Sequence, residues 1–195
     1  MSTVGIFGGT FDPIHIGHLI TAQALRELRG LEKIIFIPAF ISPHKVNVKS
    51  LGSEHRLKLI QLSIDEIPYF EYSDIELKAA KISYTVDTLR NLKQEYDNLE
   101  LIIGYDNIID FNTWKEPDEI LRLAELIVLR RKTSVEPEKK DKYFNSAVFV
   151  ETPTIEISSS EIRNRIANNL PIDFLVPRKV KEYIYKHKLY TEKRI

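Results

Sequence analysis

The chain has the size and composition of an ordinary globular protein, and its charges balance. Its 195 residues are 43% hydrophobic and 29% charged, as expected of a single domain, residues 1–195, with a sizeable core. With 28 basic and 28 acidic side chains, the formal net charge is zero, which disfavours a protein that coats nucleic acid. The lack of cysteine excludes a disulfide framework and a thiolate zinc site.

The first half of the chain alternates strand-like and helix-like segments. Short apolar runs predict strands at residues 3–7, 33–38 and 69–76. Apolar residues at helical spacing predict helices over residues 16–29, 54–67 and 85–97. The predicted inward face of the first helix carries Leu19, Ala22, Leu25 and Leu28.

The second half continues this alternation and ends in helices. Strands are predicted at residues 99–104, 125–130 and 147–151, and helices at 117–123 and 160–168. Ser158 and Glu161 have the spacing of a capping box before the second of these helices. Pro177 opens a last helix, whose predicted inward residues are Val180, Tyr183, Ile184 and His187. Residues 132–142 are charged and aperiodic, which predicts a surface loop.

Strands that alternate with helices predict an α/β fold with a doubly wound, mainly parallel sheet. The last helices form a small C-terminal helical part. In such folds, ligands bind beyond the carboxyl ends of the strands. Residues 8–18 and 104–106 each follow a predicted strand, so we expect both at this ligand edge.

No stretch of the chain has the features of a membrane anchor or an export signal. No apolar run approaches the ~20 residues of a membrane span. The first residues lack the basic and apolar regions of a signal peptide. We therefore expect a cytoplasmic protein without a membrane partner. The oligomeric state stays open, and a homo-oligomer is compatible with the sequence.

Residues 5–18, GIFGGTFDPIHIGH, are the most informative part of the chain. They predict a strand end, a turn at Gly8 and Gly9, and a helix start that carries His15 and His18. The free N–H groups and positive dipole end of a helix start favour anions, phosphate in particular. Glycines let a ligand approach the backbone closely, and histidines three residues apart share a helical face. The run therefore predicts a site for a phosphate chain.

Two further segments carry groups suited to phosphate. Ser159 and Ser160 stand at a predicted helix start with Arg163 on its first turn, where hydroxyls, N–H groups and a guanidinium can hold a phosphate tail. His44 and Lys45 follow the second predicted strand and can supply a hydrogen bond and a point charge. Simple helix capping and a plain surface loop are the alternative interpretations of these two segments.

Residues after the fourth predicted strand are suited to a nucleoside. Trp114, in a polar setting, can stack on a flat heteroaromatic ring, although a single tryptophan is more often a core residue. Asp106, just after Gly104, can accept hydrogen bonds from a ribose. The chain has no paired-carboxylate site and no HExxH, GxGxxG or GxxxxGK[ST] motif, and no metal ligands are predicted. The last two absences weigh against an NAD(P)-dependent oxidoreductase and a P-loop kinase.

Over nearly its whole length, the chain resembles the bacterial nicotinate-mononucleotide adenylyltransferases, a family of the HxGH nucleotidyltransferase superfamily. The shared motifs are GGTFDPIHIGH (8–18), PHK (43–45), HR (55–56), SYTVDTL (83–89), IIGYD (102–106), Trp114, Arg131, ISSSEIR (157–163) and DFLVPRKVKEYI (173–184). The resemblance implies a Rossmann-like nucleotidyltransferase fold. It also implies a reaction of NAD biosynthesis, in which ATP, with Mg²⁺, and nicotinate mononucleotide give nicotinate adenine dinucleotide and pyrophosphate.

The same resemblance implies roles for individual residues. The catalytic set would be His18 at the α-phosphate, His15 at the neighbouring phosphate, Lys45 between the two phosphate groups, and Arg163, with Ser159 and Ser160, at the β- and γ-phosphates. Thr10 and the backbone at Gly9 and Phe11 would contact phosphate, Gly104 and Asp106 the adenosine ribose, and Thr85 and Trp114 the nicotinate. The remaining substrate-binding residues implied are Gly8, His44 and Arg131.

Two positions depart from the family pattern. Tyr105 stands where the family usually has a small residue, and Ser160 stands where it usually has threonine. A bulky side chain at position 105 can alter how the dinucleotide sits beside the ligand edge. Ser160 keeps a hydroxyl donor, so we expect its contact to persist.

Other classes share parts of the signature. Phosphopantetheine adenylyltransferases share the GGTFDP element but are usually shorter and lack the SYTVDTL and tryptophan pattern. Cytidylyltransferases keep a GTFD and H-x-GH run but differ elsewhere. HIGH is also a signature of class I aminoacyl-tRNA synthetases, which the missing lysine-rich second loop disfavours. A non-catalytic nucleotide sensor would normally have lost one of the groups that this chain retains. The choice between acid and amide at the pyridine ring stays open, because backbone N–H groups can make that distinction.

Overall fold

A computed structural model describes residues 2–43, 50–130 and 140–192. The strands of its central sheet are β1 (Thr3–Gly9), β2 (Lys33–Pro38), β3 (Phe70–Tyr72), β4 (Asn98–Gly104), β5 (Glu125–Arg130) and β6 (Val148–Glu151). They lie in the order β3-β2-β1-β4-β5-β6, and every neighbouring pair is parallel. The strand order changes direction between β1 and β4, where ligands bind in such folds. The predicted α/β fold with a doubly wound parallel sheet is confirmed.

Helices cover both faces of the sheet. They are α1 (Ile16–Arg29), α2 (Ser53–Ile64), α3 (Ile75–Ala79), α4 (Thr85–Leu92), α5 (Tyr105–Ile109), α6 (Pro117–Leu123), α7 (Lys142–Ser146), α8 (Ser159–Ala167) and α9 (Arg178–Lys186). α1, α2, α8 and α9 share one buried apolar cluster, and α4 to α7 share another. None of the helices in the described residues is long and apolar enough to cross a membrane.

The sheet separates the two clusters, and alternation along its strands feeds both. In β2, Ile34 and Phe36 enter the cluster with α1, whereas Ile35 and Ile37 enter the cluster with α4. Successive side chains of a strand point to opposite faces. A strand buried on both faces therefore reads as a continuous apolar run, as KIIFIP does.

The C-terminal helices begin where their capping residues predict. Ser158 is the N-cap of α8, and its hydroxyl accepts a hydrogen bond from the N–H of Glu161 at 3.1 Å. Pro177 precedes α9, in which Val180 and Ile184 are fully buried. His187, predicted to face inward, is exposed instead, because α9 ends before it.

Three elements are shorter than predicted, of which the helix expected at 54–67 ends at Ile64. Only Phe70–Tyr72 of the strand expected at 69–76 pairs with β2. The N–H of Ser73 makes the last bond, to the carbonyl of Phe36, and α3 follows. The helix expected at 85–97 ends at Leu92, after which the N–H of Gln94 donates to the carbonyl of Asn91 and the N–H of Glu95 to that of Leu92, as in a tight turn. The short helices α3, α5 and α7 were not predicted, since five residues carry no helical periodicity.

The prediction that Leu28 faces the core was wrong, since this side chain is 61% exposed. Arg29 takes the inward position one turn after Leu25. Its guanidinium donates to the carboxylate of Glu100, a residue that is only 5% exposed, with Nη2 at 2.7 Å and Nε at 3.0 Å. A buried ion pair therefore replaces an apolar contact at the end of α1.

Replacing Arg29 with methionine should lower the free energy of unfolding by about 3 kcal/mol, because the carboxylate of Glu100 would stay buried without its partner. Arg178→Met is the matched control. Its salt bridge with Glu182 is exposed, so its loss should change stability by about 0.5 kcal/mol or less. Urea denaturation of both variants measures the difference, and equal midpoints would contradict the role given to Arg29.

Candidate active site

A cavity of about 840 Å³ opens at the carboxyl ends of the strands. The ends of four strands line it, with Gly9 from β1, Ile37 from β2, Gly104 from β4 and Arg130 from β5. The starts of α1, α4 and α8 line it as well. Small-molecule sites typically measure roughly 300–1,000 Å³, so this cavity is large enough for a nucleotide.

Most of the residues predicted to bind substrate line this cavity. They are Gly8, Gly9, Thr10, Phe11, His15, His18, Thr85, Gly104, Trp114, Ser159, Ser160 and Arg163. Asp106 is exposed on the first turn of α5 and does not belong to this lining, to which Asn107 contributes instead. His44, Lys45 and Arg131 lie outside the described residues. The roles of all these residues, in the cavity lining or outside it, remain predictions.

The two histidines of the signature lie together at the start of α1. His15 is the N-cap and His18 the third helical residue. Their rings stack with centroids 3.7 Å apart, and the backbone N–H of His15 donates to Nδ1 of His18 at 3.2 Å. Because Nδ1 of His18 accepts this bond, a neutral His18 ring carries its proton on Nε2.

Both imidazoles are electrically neutral at neutral pH. Burial lowers the pKa of His15 to about 4. Burial also lowers the pKa of His18 well below its usual value, and the neighbouring His15 lowers it further. A neutral imidazole carries one N–H, so each ring can donate one hydrogen bond to a phosphate.

The glycine between the histidines leaves room for the ring of His15. A Cβ atom at Gly17 would lie 3.1 Å from Nδ1 of His15. This nitrogen is buried and has no hydrogen-bond partner among the residues that the structure describes. The close approach explains why a residue without a side chain stands inside a helix at this point.

The loop between β1 and α1 is held from behind by long side chains. Arg56 of α2, which is 1% exposed, donates to the carbonyl of Thr10 at 2.8 Å. Arg163 donates to the carbonyl of Asp12 at 2.7 Å, and Tyr190 donates its hydroxyl to the carboxylate of Asp12 at 2.9 Å. The loop thus keeps one shape before any ligand arrives.

Sequence reasoning gave Arg56, Asp12 and Tyr190 no part in the site. Arg56 was noted only within the HR motif, which gives no sign that a guanidinium is buried. Asp12 stands only within the GGTFDPIHIGH motif (8–18). A local pattern cannot indicate which distant segment a side chain will reach, so these contacts required the structure.

At the start of α8, the side chains predicted to bind phosphate already make hydrogen bonds within the protein. The hydroxyl of Ser159 donates to the carbonyl of Pro13 at 2.8 Å, and Arg163 donates to the hydroxyl of Ser160 at 3.0 Å. The hydroxyl of Ser158 alone caps the helix. Ser159 and Ser160 are therefore not needed for capping, so the segment can serve both expected functions, helix capping and phosphate binding.

The start of α4 forms another part of the cavity. Tyr84 is its N-cap and makes no side-chain cap bond, so the first N–H groups of α4 have no acceptor within the helix. Trp114 is half-buried, with its ring 5.1 Å from that of Phe111, and it lines the cavity beside Thr85. Trp114 is therefore both a core residue and a cavity residue.

The tyrosine that departs from the family pattern faces away from a ligand. Tyr105 is buried in the cluster with α4, where its ring lies 6.2 Å from Phe144 and 6.3 Å from Phe149. The described cavity lining does not include Tyr105. The side chain of Tyr105 is therefore not placed where it would alter how a dinucleotide sits in this cavity.

The donors around the cavity suit phosphate better than a metal ion. In the part of the chain that the structure describes, no group of three or more His, Cys, Asp or Glu side chains could hold a metal. The carboxylates that line the cavity there are Asp12 and Glu76, and the hydroxyls of Tyr190 and Thr88 already donate to them. Mg²⁺ usually keeps several waters and binds substrate phosphates with one or two carboxylates. The donor set therefore fits a magnesium ion carried by the triphosphate.

Comparisons with known proteins agree with this geometry. A family described as "Cytidylyltransferase-like" matches residues 6–165. The fold is also that of a Plasmodium falciparum nicotinic acid mononucleotide adenylyltransferase solved with NaAD, with a TM-score of 0.78 at 22% identity over 99% of both chains. Fold and site together define the class as a nucleotidyltransferase.

Relatives with higher sequence identity narrow the class. A chain from Thermoanaerobacter sp. (strain X514), described as "Probable nicotinate-nucleotide adenylyltransferase", is 39% identical over 97% of this chain and 94% of its own length. A relative from Thermomicrobium roseum with the same description is 40% identical over 97% of this chain and 92% of its own length. The chain belongs to the nicotinate-nucleotide adenylyltransferase family within the cytidylyltransferase-like nucleotidyltransferases.

Gly17→Ala should reduce turnover by about tenfold or more while the fold remains at least as stable. The added methyl group would press on the ring of His15, whereas alanine inside a helix is favoured over glycine by about 1 kcal/mol. Steady-state kinetics and thermal unfolding separate the two effects. Gly52→Ala, where a Cβ would meet nothing within 4 Å, is the control. Full activity in Gly17→Ala would contradict the packing argument.

Stability should fall as the pH is lowered from 7 to 4, in part because of the two buried histidines. In the unfolded chain an imidazole takes up its proton near pH 6.5, whereas folded His15 does so only near pH 4. Protons therefore favour the unfolded state throughout this window, by about 3 kcal/mol for His15 at about 1.4 kcal/mol per pKa unit. In urea denaturation, the free energy of unfolding of His15→Asn should depend on pH less strongly than that of the parent protein. The exposed His187 provides the control, since the pH dependence of His187→Asn should match that of the parent. Parallel pH profiles for the parent and His15→Asn would refute the neutral assignment.

Proposed function

We propose that the chain transfers the adenylyl group of ATP to nicotinate mononucleotide, giving nicotinate adenine dinucleotide and pyrophosphate. One observation carries the proposal. The stacked histidines of α1 and the start of α8 line the same cavity as Thr85 and Trp114, which belong to the opposite face of the sheet. Groups suited to a triphosphate and groups suited to a pyridine nucleotide thus meet in one place.

The proposed chemistry is a direct displacement at phosphorus. An oxygen of the 5′-phosphate of nicotinate mononucleotide attacks the α-phosphorus of ATP in line. The bond from the α-phosphorus to the oxygen that bridges to the β-phosphate breaks, and pyrophosphate leaves with that oxygen. No protein nucleophile takes part, so catalysis rests on positioning and on stabilising charge at the transferred group.

The neutral histidines supply hydrogen bonds at the centre of this step. His18 would donate from Nε2 to an oxygen of the α-phosphate, and His15 would bind the neighbouring phosphate. The buried rings are ordered by their mutual stacking, so little reorganisation is needed when charge develops. Lys45 would bridge the two phosphate groups.

The outer phosphates would lie against the start of α8. Arg163 is partly exposed to the cavity while it holds Asp12, and its guanidinium has donors for both tasks. Ser160 would contact the phosphates, as would Thr10 and the backbone at Gly9 and Phe11. Because the hydroxyl of Ser159 is donated to Pro13, we expect its backbone N–H to face the phosphate.

The nucleoside parts would lie along the end of β4 and the start of α4. Gly104 and Asp106 would hold the adenosine ribose, while Thr85 and Trp114 would bind the nicotinate. The free N–H groups at the start of α4 suit a carboxylate on the pyridine ring. Gly8, His44 and Arg131 would complete the substrate contacts.

Mg²⁺ would accompany ATP as part of this proposal. The ion would neutralise charge on the phosphates and would be held by them and by water. A cytoplasmic location is also part of the proposal, supported by the supply of ATP and nucleotides there. Self-association remains a prediction.

The choice of co-substrate tests the function. Pyrophosphate release should be strong with ATP, Mg²⁺ and nicotinate mononucleotide, weaker with nicotinamide mononucleotide, and absent with phosphopantetheine. CTP in place of ATP should give no reaction. Reaction with phosphopantetheine alone would keep the superfamily but overturn the roles of Thr85 and Trp114. No release with any co-substrate would overturn the enzymatic function.

His18→Ala should lower kcat by about 10²–10³ without unfolding the protein, because one aligned donor to the transferred phosphate is lost. Pyrophosphate release gives the rate, and circular dichroism gives the fold. His187→Ala is the control, since His187 is exposed and is not part of the cavity lining. A folded and fully active His18→Ala protein would remove His18 from the mechanism.

A further inference from the structure

Glu76 of α3 lines the cavity although neither the sequence motifs nor the proposed chemistry uses it. Its carboxylate accepts a hydrogen bond from the hydroxyl of Thr88 at 2.6 Å and another from the side chain of Ser83. Ser83 accepts the N–H of Phe40 at 2.9 Å, so its own proton is directed to Glu76. The carboxylate is thus the common acceptor of two hydroxyls.

These two hydroxyls lie on either side of the start of α4. Ser83 precedes the N-cap Tyr84, and Thr88 is the fourth residue of the helix and is buried. One carboxylate therefore ties together the chain that enters α4 and the first turn of α4. The N-cap Tyr84 makes no side-chain cap bond, so the bonds to Glu76 add to the burial of Val86 and Leu89 in fixing the direction of this helix start.

The lysine near this helix start is already paired, so the N–H groups of the helix are the groups that would recognise an anion. Lys115 lines the same part of the cavity, but its ammonium group lies 3.2 Å from the carboxylate of Asp87 and 4.7 Å from the centre of the Tyr84 ring. Its charge is already paired. The backbone N–H of Thr85, a residue that lines the cavity, is therefore what a carboxylate on the substrate would meet.

We propose that Glu76 is a positioning residue that fixes the start of α4 for an anionic ring substituent and so favours nicotinate over nicotinamide mononucleotide. This inference rests on the proposed function. Hydrogen bonds from N–H groups to a charged acceptor are stronger than those to a neutral one, and they weaken steeply when misaligned. A shift of α4 therefore costs the acid more than the amide.

Burial raises the pKa of Glu76, and the two hydroxyls lower it. A charged Glu76 could also act directly, by repelling the substrate carboxylate. The two modes differ in sign. A positioning residue makes the acid bind better than the amide, whereas direct repulsion would make it bind worse.

Kinetics of Glu76→Ala test the proposal. We expect the KM for nicotinate mononucleotide to rise about tenfold, as the loss of a buried hydrogen-bond network implies. The kcat and the KM for ATP should stay within about twofold, because the phosphate groups are held by other elements. The inhibition constant of nicotinamide mononucleotide, which can be measured even without turnover, should change by less than about threefold.

Three further variants keep the test specific. Glu76→Gln retains an acceptor for Thr88 and should restore part of the preference for the acid. Thr88→Val removes one donor and should shift the KM in the same direction as Glu76→Ala. Asp74→Asn removes a carboxylate from the same helix region outside the described cavity lining and should change nothing. Thermal unfolding of each variant shows whether the protein is folded.

The outcomes separate this inference from the function on which it rests. If the parent protein does not react with nicotinate mononucleotide, the proposed function fails. The parent can react while the folded variants Glu76→Ala and Glu76→Gln keep its KM for nicotinate mononucleotide and its preference for the acid over the amide. In that case only the role of Glu76 fails. A stronger preference for the acid in Glu76→Gln would overturn positioning in favour of direct repulsion.

Discussion

The site depends on where the loop between β1 and α1 directs its carbonyl oxygens. A surface that binds phosphate must offer N–H groups and keep carbonyl lone pairs away from the phosphate oxygens. Here the carbonyls of Thr10, Asp12 and Pro13 accept hydrogen bonds from Arg56, Arg163 and Ser159, respectively. Because charged donors make strong hydrogen bonds, the loop is fixed by contacts that no ligand has to supply.

The apolar core holds the loop between β1 and α1 from its other side. Phe11 has a positive φ of 48°, which costs energy for a residue with a side chain. Its ring is buried against Phe7 and Phe36 and lies 5.2 Å from the ring of His18. The packing that holds the strained backbone therefore also removes water from the histidine, which is why burial dominates the pKa of His18.

The sequence predicted the parts of the site that are local. Residues 8–18 and the start of α8 combine a strand end or a cap with ligand groups within a few positions, so periodicity and motif place them correctly. The parallel sheet then brings separate strand ends to one edge, which is why Gly104 and Trp114 were predicted to join the histidines. The departure at Tyr105 was harder to judge, since only packing shows that its ring faces Phe144.

The parts that could not be predicted are long-range contacts of single side chains. Arg56 in α2 reaches Thr10, and Tyr190 beyond α9 reaches Asp12. Nothing in the neighbouring residues of either one indicates its partner. The shortening of β3 has a similar cause, because an edge strand ends where its one partner, β2, stops offering hydrogen bonds.

The C-terminal residues belong to the architecture of the site, although most of the proposed catalytic groups come early in the chain. Besides the bond from Tyr190 to Asp12, the N–H of Ile16 at the start of α1 donates to the carbonyl of Leu175 at 2.9 Å. The helix start that carries the histidines is thus fixed by segments more than a hundred residues away. A phosphate site formed from the first βα unit alone would lack these restraints.

The phosphate loop and the start of α4 are held by two networks that meet at Phe40. Arg56, Arg163 and Tyr190 act on the loop, whereas Glu76 accepts hydrogen bonds from Ser83 and Thr88 at α4. Arg56 also donates to the carbonyl of Phe40 at 3.4 Å, and the N–H of Phe40 donates to Ser83 at 2.9 Å. Residues within one hydrogen-bond network are energetically coupled. The bond from Arg56 to Phe40 is long for a hydrogen bond, so we expect the coupling between the groups proposed for adenylyl transfer and those proposed for the ring substituent to be weak.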